Sequence, residues 1–243
     1  AAKGDPKKVV FSGVGKSKKD IELAIKHDIL TFNVESEAEL FRIQIIAKKL
    51  SKVVSISIRV NPDVNPKTHP YISTGLKDNK FGVDEQNAIS MYKIANELDS
   101  IEIKGIDCHI GSQITELQPF EDSINKLLVL IDHLKSIDIS IEHIDIGGGI
   151  GIKYSDEVPP TFSDYASTVK NILKDRDIKI IFEPGRALIG KAGILLTEVE
   201  YIKHSLEKNF IIINAAMNDL MRPSLYGAFH EIINLSPTDS EKK

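Results

Sequence analysis

The chain has 243 residues, 42% of them hydrophobic, and a formal net charge of -4 at pH 7, which suits one large α/β domain or one domain and part of another. Acids and bases are interleaved, which argues against nucleic acids and anionic membranes as partners. No run reaches the roughly 18 apolar residues of a membrane-spanning helix. The single cysteine, Cys108, excludes an internal disulfide or a cysteine-based zinc cluster and favours a reducing compartment, the cytoplasm. No metal site is predicted.

Apolar, β-branched runs alternate with segments of helical periodicity, as expected for βα units around a parallel sheet. Six strands are predicted at residues 9–12, 31–34, 54–60, 103–110, 141–146 and 178–183. Helices are predicted between them at 18–27, 37–50, 84–98, 119–135 and 162–174. Ser36 and Glu39, three residues apart, predict a capping box at the start of the second helix.

After Arg186 the pattern changes, and residues 194–202 and 209–215 are predicted as strands without a helix between them. We therefore expect a domain boundary near Lys191, with an α/β portion over 1–190 and a partial β-domain over 191–243. About six βα units suggest either a (β/α)8 barrel that is incomplete at its N-terminus or an open doubly wound sheet.

Polar residues and glycines at the strand ends help to choose between these two folds. Alternation along a strand places Asp107 and His109 on one face, and Asp145 and Gly147 likewise face inward. The strand that ends at Glu183 repeats this pattern. Active sites of barrels lie at the carboxyl ends of the strands, so these ends form the candidate site.

The clearest local motif consists of Gly147, Gly148 and Gly149, directly after an apolar strand. Consecutive glycines leave backbone amides open to an anion, and such a turn suits a phosphate. The alternative is a flexible turn between strand and helix. The spacing matches neither the phosphate-loop nor the dinucleotide-binding fingerprint.

A second motif runs from Phe182 to Arg186, with sequence Phe-Glu-Pro-Gly-Arg. A carboxylate at a barrel mouth needs a compensating cation or hydrogen bonds, and a protonated pyridine nitrogen would supply one. The alternative is an ion pair between Glu183 and Arg186 that closes the turn.

Two further segments carry candidate binding groups. His109, three residues before Ser112, leaves a strand and could either stack on a flat ligand ring or serve only the structure. Arg222 and Tyr226, four residues apart, could hold a carboxylate through charge-assisted hydrogen bonds. Surface arginines and tyrosines need no such explanation, so this reading stays open.

In order and context these motifs resemble the alanine-racemase-like, fold-type III pyridoxal-phosphate decarboxylases, and within them the diaminopimelate decarboxylase branch. The matching segments cover nearly the whole chain: FSGVGKS from 11, NVESEAEL from 33, RVNPD from 59, 69–75, KFG from 80, HIGSQ from 109, GGG from 147, EPGR from 183 and MRPSLYGAFHEI from 221. The last segment is the most specific to the branch.

The resemblance implies a cofactor, pyridoxal 5'-phosphate, and decarboxylation of meso-diaminopimelate to L-lysine and carbon dioxide by a homodimer. It implies that the cofactor phosphate lies among Gly147, Gly148, Gly149, Ser112, Gly185 and Arg186. It further implies that His109 stacks on the ring and that Glu183 keeps the ring nitrogen protonated. Arg186, Arg222 and Tyr226 would bind carboxylates of a small amino acid substrate.

Two family features are missing from the 243 residues. The family forms a Schiff base through a lysine in a Tyr-Ala-x-Lys-Ala-Asn type segment, and a Cys-Glu-Ser-Gly-Asp type segment reaches across the dimer. Lys16 belongs to a different family segment and is interpreted as a residue on the approach to a helix. We therefore expect an internal fragment that does not turn over alone.

Three alternatives remain at this stage. A basic amino acid decarboxylase of the ornithine or arginine type would share the fold but would need an acidic pocket for a distal cation. A non-catalytic relative would keep the scaffold without the lysine. An unrelated barrel enzyme that acts on phosphorylated metabolites would be supported by the glycine motif only.

Overall fold

The computed structural model describes residues 3–64 and 80–235, and the resemblance segment at 69–75 lies outside them. Its main sheet has six strands: β1 (Val10–Phe11), β2 (Thr31–Val34), β3 (Val54–Arg59), β4 (Ile101–Asp107), β5 (His143–Asp145) and β6 (Lys179–Ile181). The helices that connect them are α1 (Lys18–Lys26), α2 (Glu37–Lys49), α3 (Glu85–Asn96), α4 (Gln118–Ser136) and α5 (Phe162–Leu173). The predicted strands and helices are confirmed to within a few residues at each end.

The order of the strands decides between the two predicted folds. Strands β1 to β6 lie side by side in sequence order, and each neighbouring pair is parallel. A doubly wound sheet reverses its strand order at a switch point, whereas a barrel does not. The chain therefore forms a curled half-barrel, with β1 and β6 as the edges of its sheet.

Alternation along the strands separates an apolar face from a polar face. Phe32, Ile56, Ile58 and Ile106 are at most 1% exposed and pack with the helices in one apolar cluster. The residues between them in sequence are polar, and they point into the half-barrel, where they bond to one another. This arrangement gives the fold an apolar outer layer beneath the helices and a polar interior.

We call Thr31, Ser57 and His143 the inner cluster, because each lies two residues before a polar residue at the carboxyl end of the same strand. The Thr31 and Ser57 hydroxyl oxygens lie 3.4 Å apart, and the Ser57 oxygen lies 2.9 Å from His143 Nε2. Gly105, on the neighbouring strand, makes room for the imidazole, because a Cβ at this position would overlap its ring atoms. Burial lowers the pKa of His143, so the inner cluster is electrically neutral at pH 7.

Two helices begin with complete capping boxes, but the one predicted is incomplete. Ser17 with Asp20 and Thr161 with Asp164 exchange both bonds at the starts of α1 and α5. At the start of α2, Ser36 accepts the Glu39 amide hydrogen as predicted. The Glu39 carboxylate does not return the bond, because it binds the buried Lys16 ammonium and the Glu35 amide instead.

Beyond the half-barrel lie α6 (Gly185–Ile189), β7 (Val199–Lys203), β8 (Phe210–Ile213) and α7 (Arg222–Tyr226). The two strands predicted after Arg186 are present, but β7 begins at Val199 and not at residue 194. Strands β7 and β8 form an antiparallel pair. Many apolar side chains here are exposed, among them Ile194 at 93% and Ile232 at 95%. Across residues 3–64 and 80–235, no helix combines the length and the apolar character needed to span a bilayer.

Candidate active site

A cavity of about 280 Å³ opens at the carboxyl ends of the strands. It is lined by Arg59, Asp107, His109, Ser112, Gly149, Glu183, Gly185 and Arg186. Six of these eight residues are predicted site residues, and Glu183 and Gly149 share this single space. The two strongest sequence motifs therefore meet at one site.

The glycine turn is shaped by close backbone packing. A Cβ on Gly148 would overlap the Glu183 carbonyl, and Gly147 and Gly149 adopt positive φ angles of +65° and +111°. L-residues with side chains rarely adopt such angles. The Gly147 amide donates to Asp145 Oδ1 at 2.9 Å, and the Gly148 amide donates to His109 Nδ1 at 3.2 Å. Of the three glycines, Gly149 is the one that lines the cavity.

His109 is held as a neutral ring beside the cavity. Its Nδ1 accepts the Gly148 amide hydrogen, and burial, followed by the nearby Arg59 cation, lowers its pKa to about 4. A neutral imidazole with one nitrogen fixed by the glycine turn presents a flat, uncharged surface to the cavity. This is compatible with stacking on an aromatic ligand.

Glu183 is joined to the opposite side of the half-barrel by hydrogen bonds. The Ser12 hydroxyl donates to Glu183 Oε1 at 3.3 Å, and Asn33 Nδ2 donates to Ser12 Oγ at 2.9 Å. The same Asn33 nitrogen donates to Asp145 Oδ2 at 3.1 Å. No ion pair joins Glu183 to Arg186 among the described residues. The turn-closing ion pair considered from the sequence is therefore absent from this part of the chain.

Three carboxyl groups crowd the mouth of the half-barrel. Asp145 is fully buried, and burial, then the Glu183 charge, raise its pKa to about 7. Asp107 is 2% exposed, and burial, then Asp145, raise its pKa well above the ordinary range. Asp107 Oδ1 has no partner within the described structure. An excess of buried acid at a cavity favours a cationic or hydrogen-donating ligand.

Arg59 is a cation at the mouth, and Glu35 holds it in place. Arg59 Nη1 lies 3.2 Å from Glu35 Oε1, and its Nε lies 4.0 Å from Asp107 Oδ2. Glu35 in turn accepts the amide hydrogens of Gly13 at 2.9 Å and Gly82 at 3.0 Å. The guanidinium packs over the Phe81 ring at 5.0 Å. We call Asn33, Glu35, Arg59, Asp107, Asp145 and Glu183 the mouth cluster.

Lys16 is buried and bound on several sides, which supports its interpretation as a structural residue. Its Nζ donates to Glu39 Oε1 at 2.6 Å and to the carbonyl oxygens of Gly13 at 2.8 Å and Asn33 at 2.7 Å. It does not line the cavity. An ammonium in this position is not available to a ligand at the mouth.

The predicted carboxylate-binding residues are brought near one another but not onto the cavity wall together. Arg186 lines the cavity and donates to Gln113 Oε1 at 3.2 Å. The Arg222 guanidinium lies over the rings of Tyr226, at 5.8 Å, and Tyr154, at 5.5 Å. Burial, and then the Arg222 charge, act to lower the pKa of Arg186. The two arginines are thus close enough to repel each other.

Sequence reasoning did not assign roles to Arg59, Asn33, Glu35 or Tyr154. A signal existed for the first three, since polar residues alternate with apolar ones at 31, 33 and 35 and again at 57 and 59. That alternation marks the inner face of a barrel strand. Tyr154 lies in an irregular segment, and no pattern in the sequence pointed to it.

A family model described as "Pyridoxal-dependent decarboxylase, pyridoxal binding domain" matches residues 1–190. The chain belongs to this family. The resemblance inferred from the motifs is confirmed, and an unrelated barrel enzyme that acts on phosphorylated metabolites is excluded. Family membership also agrees with a cavity that is lined by acids and by a glycine of the turn.

Among curated relatives, the diaminopimelate decarboxylase of Vibrio cholerae is 53% identical over 242 residues, which are 99% of this chain and 58% of that protein. The diaminopimelate decarboxylase of Aquifex aeolicus is 47% identical over 238 residues, which are 98% of this chain and 57% of that protein. The chain thus spans less than two thirds of the length of these relatives.

Solved structures of the family share the fold. The Helicobacter pylori diaminopimelate decarboxylase, crystallised in complex with L-lysine, matches with a TM-score of 0.93 and 44% identity over 97% of this chain and 59% of that one. The lysine decarboxylase of Selenomonas ruminantium matches with a TM-score of 0.79 at 19% identity, which shows the fold alone.

Proposed function

We propose that these residues serve the pyridoxal-phosphate-dependent decarboxylation of meso-diaminopimelate at its D-centre, which yields L-lysine and carbon dioxide. One observation carries the proposal: Glu183 and the glycine turn open onto the same cavity. A cavity that offers both a carboxylate and a glycine turn matches a ligand with a basic ring nitrogen and an anionic tail. The curated relatives at about half identity are named for this reaction.

The residues present fit the cofactor. Gly149, Ser112, Gly185 and Arg186 line the cavity, and we assign the phosphate to them. Gly147 and Gly148 shape the turn, because their amides already donate within the protein. The neutral ring of His109 would stack on the cofactor ring. The orphan oxygen of Asp107 is consistent with a site built around a polar ligand.

Glu183 would hold a proton on the ring nitrogen. When bound, pyridoxal phosphate supplies a positively charged ring that withdraws the electrons left at Cα by the departing carboxylate. A carboxylate beside the nitrogen favours the protonated ring. Burial, then the Glu183 charge, raises the pKa of Asp145 to about 7, which favours a neutral Asp145 beside the site.

Arg186, Arg222 and Tyr226 would bind substrate carboxylates. Diaminopimelate carries an amino acid group at each end, so its distal end calls for cations, whereas ornithine or arginine would call for acids. Arg186 lines the cavity, Arg222 lies close enough to act on its pKa, and Tyr154 and Tyr226 pack against Arg222. This charge pattern supports diaminopimelate over a basic amino acid.

The sequence holds no family-type lysine segment, and Lys16 is occupied by Glu39. In our proposal the chain supplies the noncovalent part of the cofactor site and lacks the covalent anchor, so that it does not turn over alone. We also propose the division into residues 1–190 and 191–243, a homodimer, and a cytoplasmic location. The exposed apolar residues after Arg186 and the free, buried Cys108 support these assignments.

A chimera tests the function directly. Residues 1–243 would replace the matching span of the Vibrio cholerae relative, which is 53% identical, so that the lysine segment comes from that protein. We expect release of carbon dioxide from meso-diaminopimelate and not from ornithine or arginine. The unmodified relative is the matched control. Release from ornithine or arginine alone would refute the substrate assignment.

A further inference from the structure

Asn33, the first residue of the NVESEAEL segment, was given no role in the sequence analysis, and it lies in the polar interior. It is fully buried on β2, and the side chains that it binds come from opposite sides of the half-barrel. Its Nδ2 donates to Ser12 Oγ, beside β1, at 2.9 Å and to Asp145 Oδ2, on β5, at 3.1 Å. Because β2 and β5 are not neighbours in the sheet, the second bond crosses the interior.

Each of these bonds leads to one end of the site. Ser12 passes its own hydroxyl hydrogen to Glu183 Oε1 at 3.3 Å, which is the carboxylate assigned to the ring nitrogen. Asp145 uses its other oxygen to accept the Gly147 amide hydrogen at 2.9 Å, which fixes the glycine turn assigned to the phosphate. A single amide nitrogen thus supplies both of its hydrogens to the two ends of the cavity.

We propose that Asn33 is a positioning residue that couples the two ends of the cofactor site, through Ser12 to Glu183 and through Asp145 to the glycine turn. This inference rests on the proposed function, since that function assigns the ligand. Asn33 does not line the cavity, so its effect on a ligand passes through the residues that it orients. Ser12 and Asp145 both accept a hydrogen from the Asn33 amide. A carboxylate at position 33 would have no hydrogen to donate.

Substitutions separate the two branches. N33D removes both donors and places an acid beside Asp145. The exchange N33D/D145N keeps the number of carboxyl groups and restores a donor between positions 33 and 145, but it restores no donor to Ser12. S12A cuts only the branch to Glu183. T31V is the matched control, because Thr31 is buried on the same strand and bonds to the inner cluster instead.

The probes are pyridoxine 5'-phosphate, which has no aldehyde and cannot form a Schiff base with lysines, and inorganic phosphate, which reports only the residues assigned to the phosphate. Dissociation constants are measured by calorimetry on the 243-residue chain. We expect N33D to weaken both probes about tenfold, which corresponds to the loss of one buried hydrogen bond. The double variant N33D/D145N should bind inorganic phosphate to within about threefold of the unsubstituted chain, but it should still bind pyridoxine 5'-phosphate more weakly.

S12A should weaken pyridoxine 5'-phosphate and leave inorganic phosphate unchanged, and T31V should change neither. Equal losses in N33D and T31V, or no recovery of phosphate affinity in the exchange, would overturn the coupling. If the unsubstituted chain binds neither probe, the proposed cofactor site is wrong. In that case, amide hydrogen exchange at positions 147 and 148 decides the inference. Unchanged protection in N33D refutes it, and a loss of protection that the double variant N33D/D145N reverses supports it.

Discussion

The inner cluster and the mouth cluster lie in the same interior but differ in charge. Thr31, Ser57 and His143 satisfy one another as neutral groups. The mouth cluster contains four acids and one arginine, and Asp107 and Asp145 both have raised pKa values. Buried charge is costly unless it is compensated. The unfavourable interactions between acids are therefore confined to the mouth, where a bound ligand can compensate them, and the inner cluster is neutral.

The largest effect that we expect is a difference in stability between two glycine substitutions, one beside the mouth cluster and one beside the inner cluster. A Cβ at Gly148 would overlap the backbone carbonyl of Glu183, whereas a Cβ at Gly105 would overlap the His143 ring. Backbone cannot move aside as a side chain can, so G148A should lower the free energy of unfolding by about 3 kcal/mol or more, and G105A by about 1–2 kcal/mol. Urea denaturation measures both values.

The double variant G105A/H143A is the control for this pair. Removal of the ring frees the space, so the double variant should be less destabilised than the sum of its single variants. An equal loss of stability in G148A and G105A would contradict the distinction between backbone and side-chain overlap.

The next effect concerns Glu183 in the chimera. E183Q replaces a carboxylate by a neutral amide of the same shape, which cannot favour a protonated ring. Turnover should fall by about a hundredfold or more, while the dissociation constant of pyridoxal phosphate should change less. The matched control is T31V in the inner cluster, which should leave both values unaltered. Full turnover in E183Q would remove the basis for the pyridinium role.

A smaller effect is a dependence of stability on pH from Asp145. Its pKa of about 7 in the folded chain exceeds the ordinary value of 3.8, so between these values the folded state binds the extra proton. This contribution to stability is present below pH 3.8 and is lost as the pH rises through 7. D145N cannot bind this proton, so it should not show this loss of stability. The melting temperature of D145N minus that of the unsubstituted chain should therefore rise from pH 3.8 to about 7 and level off at higher pH.

The titration of His109 changes the stability in the opposite direction over nearly the same pH range. Its pKa is lowered from 6.5 to about 4, so stability falls as the pH falls through that range. H109Q should remove this fall. If neither single variant alters the pH dependence of the melting temperature, the assigned protonation states at the mouth are wrong.

The smallest expected effect is the absence of a covalent adduct. Lys16 is buried against Glu39, so reduction with borohydride in the presence of pyridoxal phosphate should leave no single lysine of the chain stoichiometrically modified. Peptide mass spectrometry measures this. One fully modified lysine would show that the chain carries an anchor that we have not recognised.

The sequence predicted the fold well because its signals are local. The apolar, β-branched run at 31–34 became β2 with the same bounds, and each predicted βα unit formed. The shared cavity of Glu183 and Gly149 also followed from the position of both motifs at strand ends. Contacts across the interior could not be predicted in this way. The bond between Asn33 and Asp145 depends on how far the sheet curls, which no short segment encodes.

The capping box at Ser36 illustrates the same limit at the scale of one residue. The spacing to Glu39 was correct, and half of the motif formed. The other half was lost to a long-range competitor, because the Lys16 ammonium lies 2.6 Å from the Glu39 carboxylate. A buried ion pair outweighs a bond to one backbone amide.

Gly105 and His143 share one volume: the ring on β5 fills the space that a methyl group on β4 would need. Neither position can therefore drift independently over evolution, since a larger residue at 105 requires a smaller one at 143. Homologous sequences should show compensating exchanges at these two sites. A designer who wishes to rebuild the depth of this half-barrel must treat the pair as one unit.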